Sequence, residues 1–273
     1  MKRLISILLF ASLWLSLAVD AETLSPDQIA ARAYERNRVD DQIATLTFTF
    51  SSRGKNEQQF AYTMVWKNMK GKGGYDNKAM FFGEFPTDKK GIAYLGWLRS
   101  AGSGKRDSEW IYLPELRMTR RIAHRDDDKA DDDDEFANSL LKREHLDPRP
   151  PRLDTHTFIG EKALDGRAHY VILSTSKQPQ KGEAAKTVRW IDRDSFRIDR
   201  AQYFDANNEE TLDVDIAWSQ IDDAWVWKTV TAINPKTRAK TVMEVDTIRI
   251  NSGLKDRAFS KRNLKRGSAG FRR

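Results

Sequence analysis

The chain has 273 residues, 47 Lys and Arg against 40 Asp and Glu, a formal net charge of +7, and no cysteine. The missing thiol excludes a disulfide-stapled scaffold, a thiolate metal site and a lipid anchor attached through cysteine. The basic balance points to an anionic lipid headgroup or an acidic partner. Nucleic acid is not the expected partner, because the N-terminus marks the chain for export.

That N-terminus carries Lys2 and Arg3, an apolar stretch from Leu4 to Val19, and the small residues Val19 and Ala21. The order charged, apolar, small is that of a signal peptide, with cleavage expected after Ala21. A stretch of about 16 residues is short of the ~20 that span a bilayer as a helix. Cleavage removes Lys2, Arg3 and Asp20, a net +1, so the mature chain falls from +7 to +6. A soluble periplasmic protein without a lipid anchor follows, with residues 1–21 as signal peptide and 22–273 as a single β domain.

Ser25-Pro26-Asp27-Gln28 opens a helix expected to reach about Asn37, since Ser25 can cap the first amides and Pro26 has its φ preset. The period then becomes two. Ala44, Leu46, Phe48 and Phe50 alternate with threonines, and after a turn at Gly54-Lys55-Asn56 so do Phe60, Tyr62, Met64 and Trp66 with Ala61, Thr63 and Val65. Further strands are predicted at 78–85, 91–98, 109–113 and 117–122, and after an interruption at 155–160, 169–174, 187–192, 198–205, 211–219, 225–234 and 241–250. Asp165-Gly166 is a two-residue hairpin signal. Many short strands with few helices mean a mainly β fold: a barrel, an incomplete barrel or a sandwich.

The interruption, an acidic insert near 123–152, holds eight acids between Asp126 and Glu135, then an amphipathic segment from Phe136 to Leu146 and the stiff exit Asp147-Pro148-Arg149-Pro150-Pro151. A calcium loop would use such oxygens, but the run lacks the glycine an EF-hand turn needs. A solvated loop is expected. Catalytic signatures are equally absent. The four histidines have no zinc spacing, and Ala101-Gly102-Ser103-Gly104-Lys105 is neither a nucleophile elbow nor a phosphate loop. Neither enzymatic activity nor a cofactor or metal is expected.

Thirteen phenylalanines, eight tryptophans and seven tyrosines stand in an otherwise polar chain. Aromatics and methionines on one strand face fill a core, or line a cavity for flexible apolar chains. Periodicity leaves both readings open. The ordered series Gly91-Ile92-Ala93-Tyr94-Leu95, Trp110-Ile111-Tyr112-Leu113-Pro114 with Arg117, Arg120 and Arg121, Ile159-Gly160-Glu161, Leu164-Asp165-Gly166, Trp190-Ile191-Asp192, Tyr203-Phe204-Asp205 and Phe259 with Arg262 to Arg266 resembles the outer-membrane lipoprotein-sorting family, the LolA/LolB-like group. It covers nearly all of the mature chain. The acidic run before Phe136 departs from the short segment usual there.

The resemblance implies a half-open antiparallel β-barrel whose open side is covered by helices. It implies a carrier or transporter-accessory protein that binds lipid or lipoprotein acyl chains for traffic toward the outer membrane, alongside an inner-membrane transporter of the RND/MMPL type. Candidate cavity residues are Phe48, Phe50, Tyr62, Met64, Trp66, Trp110 and Tyr112. Arg117, Arg120 and Arg121 are candidate contacts for a headgroup or partner, or else a charged edge that discourages aggregation. The alternatives are an interaction module of such a transporter, with the aromatics only as core, and a hydrolase of envelope polymers using a carboxylate pair.

Overall fold

Period-two alternation is realised as thirteen antiparallel strands in one sheet. The computed structural model describes residues 24–36, 39–100, 103–122, 139–142, 145, 149–178 and 184–271. The expected signal peptide and the acidic run 126–135 lie outside them, as does most of the amphipathic segment after that run. The strands are β1 (Asp41–Ser51), β2 (Gln58–Asn68), β3 (Tyr75–Phe85), β4 (Ala93–Arg99), β5 (Ser108–Leu113), β6 (Met118–Arg121), β7 (Asp154–Leu164), β8 (Arg167–Ser176), β9 (Lys186–Asp192), β10 (Ile198–Phe204), β11 (Glu210–Ile221), β12 (Ala224–Ile233) and β13 (Lys240–Ile250).

Two meanders, β1 to β6 and β7 to β13, are joined by pairing of β1 with β13. The edges β6 and β7 do not pair, so the sheet does not close into a barrel. The connection between them therefore runs from one edge of the sheet to the other. Hairpin chemistry fixes the register locally: Asp165 (φ 50°) and Gly166 (φ 75°) both adopt the left-handed conformation that a type I′ turn requires, and Leu164 pairs with Arg167.

The helix α1 (Pro26–Arg36) starts with a reciprocal cap. The Gln28 amide donates to Ser25 Oγ at 3.2 Å and the Ser25 amide to Gln28 Oε1 at 2.8 Å. Its buried residues Ile29 and Ala33 pack on Ile172 of β8 and Ile191 of β9. A short helix α2 (Lys261–Arg266) is capped by Ser260 and covers the opposite face of β2 to β5. There Phe259 and Leu264 are buried among Val65, Met80, Leu95 and Trp110. Each such side chain contributes about 1.5–3 kcal/mol by leaving water. The buried Asp41 carboxylate fixes the approach to α2, accepting from the amides of Ser252 at 2.7 Å and Leu254 at 2.9 Å.

Candidate functional site

The face of the sheet opposite α2, here the inner face, is apolar across many strands. Ala44, Leu46 and Phe48 of β1 meet Ala201 and Tyr203 of β10, Leu212 and Val214 of β11, Val230 and Ala232 of β12, and Met243 and Val245 of β13. One member of this cluster belongs to no strand. Leu141, 2% exposed, comes from the connection between β6 and β7. The Leu140 amide donates to Oγ1 of the buried Thr241 at 2.9 Å, and the Leu141 amide to Ser139 Oγ at 3.0 Å. Residues 139–142 thus lie on the inner face by side-chain packing and single hydrogen bonds, not by strand pairing.

His145 continues this cover. Its ring meets Tyr203 edge-on with centroids 4.6 Å apart, and its Nδ1 accepts the Lys142 amide at 2.9 Å. Burial, and then the Lys142 charge, push its pKa down to about 4. The imidazole is therefore neutral at neutral pH, which suits an apolar contact.

Beneath α1 the inner face encloses a cavity of about 60 Å³. Its walls come from α1 (Ala30, Ala33 and Tyr34), from His145, Arg149 and Pro151, and from six neighbouring strands, β7 to β12. At ~4.8 Å between strands, six would span about 24 Å if flat. Only a curled sheet brings them round so small a space. Ile172, Ile191, Ile198, Ala201, Ile216, Trp218 and Trp227 make the wall apolar, while Arg149, His156, Ser174 and Arg189 form one polar end.

That end is a hydrogen-bonded set on β7, β8 and β9. His156 Nε2 is 3.0 Å from the Pro151 carbonyl, so it carries the proton and donates. Nδ1 is then an acceptor for the Ser174 hydroxyl at 2.9 Å. Ser174 Oγ in turn accepts from Arg189 Nη1 at 2.8 Å. Arg149 donates from Nε to Asp154 Oδ1 at 2.9 Å and from Nη2 to Ser176 Oγ at 2.9 Å.

A second polar cluster lies on the other face of the β8 to β10 region. His169, Asp192 and Asp199 are all buried, with ligand atoms within 4.8 Å of one another, the one such group among the described residues. Arg167 already bridges the carboxylates, with Nη1 3.1 Å from Asp192 Oδ2 and Nη2 2.6 Å from Asp199 Oδ2. His169 Nε2 stands 3.0 Å from the same Asp199 oxygen. Arg197 adds a second cation 3.7 Å from Asp199 Oδ1, its guanidinium 3.9 Å over the Trp225 ring. Two guanidiniums compensate the two acids, and a metal ion would have to displace Arg167. The set reads as a structural knot. Burial pushes Asp192 up, but the Ser195 hydroxyl and amide, then Arg167 and Arg197, outweigh it and hold the carboxyl below its ordinary value.

The residues singled out from the sequence divide between the faces. Phe48 is in the inner cluster with Tyr62 and Met64 packed against it, and the Phe48 and Tyr62 rings meet edge-on at 5.9 Å. Alternation puts Phe50 and Trp66 on that side too, both half-buried. Trp110 and Tyr112 are on the opposite face, because Leu95 pairs with Trp110 and Ala93 with Tyr112, and Leu95 and Ala93 pack toward α2. None of these seven lines the cavity. Arg117, Arg120 and Arg121 are exposed at the β6 edge beside the exposed Leu116 and Met118. The polar end of the cavity has one signal in the sequence, Arg189 sharing a strand face with Thr187 and Ile191.

The model of a family described as "Uncharacterized protein" matches residues 75–266, well over half of the chain. No curated protein matches. Among solved structures, a DUF1329 family protein from Desulfovibrio piger is 23% identical with a TM-score of 0.76, over 88% of this chain and 97% of that one. An outer membrane lipoprotein-sorting protein domain from Vibrio parahaemolyticus is 21% identical with a TM-score of 0.72, over 88% and 98%. A LolA superfamily protein from Nitrosomonas europaea is 14% identical with a TM-score of 0.61, over 88% and 99%. The resemblance read from the sequence is thus met in the fold, an antiparallel sheet left open with few helices.

Proposed function

We propose, from the premise that the chain belongs to the family matched over residues 75–266 and has the fold of lipoprotein-sorting and LolA superfamily proteins, that it is a periplasmic carrier of lipid or lipoprotein acyl chains. The observation that carries this reading is the inner face. It is apolar from β1 across β13 to β8, the sheet does not close over it, and its cover among the described residues is α1, residues 139–142 and His145. Elements held by side-chain contact can give way to an acyl chain of similar chemistry without breaking the sheet's hydrogen bonds. Burial of apolar surface at ~25 cal/mol per Å² supplies the driving force for capture.

In this reading Phe48, Phe50, Tyr62, Met64 and Trp66 floor the inner face next to Leu141, and an acyl chain replaces the cover. Trp110 and Tyr112 serve instead as the seat for α2. Arg117, Arg120 and Arg121, with Leu116 and Met118, form an exposed basic and apolar edge suited to an anionic headgroup or an inner-membrane transporter of the RND/MMPL type. That edge is the observation favouring the second reading, a transporter-bound module. The mechanism needs no catalytic group: capture by burial, then release when a partner opens the cover. Mass spectrometry of organic extracts from protein purified without detergent tests the proposal. A stoichiometric acylated molecule is expected. Empty extracts from folded protein that co-purifies with a transporter would favour the module.

A further inference from the structure

We infer that the cavity beneath α1 is an anion subsite, in which Arg189 holds the carboxylate or phosphate end of an amphiphile whose apolar body lies along the inner face. The inference rests on the carrier reading and specifies its ligand. Among the described residues, four cationic or ionisable nitrogen side chains line the cavity, Arg149, Arg189, His145 and His156, and no Asp or Glu does. This is unlike the chain as a whole, which carries 40 acids.

The two guanidiniums are not equivalent. Arg149 is paired with the buried Asp154 at 2.9 Å. Arg189 forms no ion pair among the described residues, and its hydrogen bond goes to the neutral Ser174 hydroxyl. A half-buried guanidinium against apolar walls without a counter-charge is a costly arrangement. An anion compensates it.

The geometry also shows how Arg189 is held ready. The Pro151 carbonyl fixes the His156 N–H on Nε2, so Nδ1 accepts a hydrogen bond from the Ser174 hydroxyl and a Ser174 lone pair is left facing Arg189. One of five guanidinium N–H donors is committed by this relay, and the others can meet a planar or tetrahedral oxyanion. The space agrees in size. About 60 Å³ of water-accessible space admits a few waters, at ~10–15 Å³ each, or a compact headgroup. The chain must then continue across Ala201 and Tyr203 to the ground now covered by Leu141.

The test is equilibrium binding of cis-parinaric acid and of its uncharged methyl ester to the full-length protein, to Arg189→Met and to Arg189→Lys. The wild type should prefer the acid about tenfold or more, the scale of one charge-assisted hydrogen bond. Arg189→Met should bind acid and ester alike, and Arg189→Lys should keep part of the preference. Displacement by oleate against displacement by a lysophosphatidic acid then tells a carboxylate from a phosphate. Equal binding of acid and ester by the wild type would overturn the subsite and leave the carrier reading standing. Preference for the acid that survives in Arg189→Met would also overturn it, since the charge would be read elsewhere. The wild-type comparison stands even where the Met variant does not fold. Binding of neither probe would remove the carrier reading and this inference with it.

Discussion

Replacing Leu141 by alanine separates a displaceable cover from a permanent core. Leu141 is 2% exposed among Phe48, Tyr203, Met243 and their neighbours, yet its own backbone belongs to no strand. Truncating a buried leucine costs about 2–5 kcal/mol, depending on how far the site collapses. If residues 139–142 must leave before an acyl chain can lie down, stability lost from their docking returns as affinity. About 2 kcal/mol so transferred tightens binding roughly thirtyfold, with a ceiling once the segment is already mostly undocked. The assay is titration of a fluorescent fatty acid into wild type and Leu141→Ala, with urea melts run in parallel. Tighter binding beside a modest loss of stability is expected. A large loss of stability with unchanged or weaker binding would refute the reasoning and make Leu141 ordinary core.

Three further outcomes follow from particular contacts. Gly83→Ala should destabilise by about 1–3 kcal/mol or more in a thermal melt, because a Cβ there would lie 2.3 Å from the Lys89 carbonyl oxygen, a backbone atom of the turn into β4. His145, held at about 4 against 6.5 when free, contributes stability in full above about pH 6.5. This declines as pH falls and is gone below about pH 4, a loss of roughly 3 kcal/mol. Urea melts from pH 7 to 4 should therefore fall less steeply in His145→Asn, whose amide oxygen can still accept from Lys142. Arg167→Met should cost about 2 kcal/mol in the same melts, less than the ~3–5 of a fully buried pair because Arg167 is itself half exposed. A loss near zero would mean that Arg197 and His169 suffice for both carboxylates.

Much of the fold is legible in the sequence because strand periodicity and turn chemistry are local. The Ser25 cap, the Asp165-Gly166 turn and all thirteen strands stand where the pattern puts them, within a few residues. Which face looks inward is not local. It depends on register passed from strand to strand: Met64 pairs with Phe81, Phe81 with Tyr94 and Tyr94 with Ile111, so the inner face takes Ile111 and not its neighbours. Hence Trp110 and Tyr112, read together with Tyr62 and Met64, stand across the sheet from them. The polar end of the cavity is harder still to read. Arg149, His156, Ser174 and Arg189 come from four separate segments, and only the pairing of β7 with β8 and β8 with β9 brings them together.

The most direct test of the central claim is photolabelling with a diazirine fatty acid, followed by mapping of the labelled peptides by mass spectrometry. Label is expected on inner-face residues such as Phe48, Tyr203, Met243 and Leu141, displaced by unlabelled fatty acid. Saturable label confined to the α2 side around Trp110 and Phe259, or no saturable label on folded protein, would contradict it.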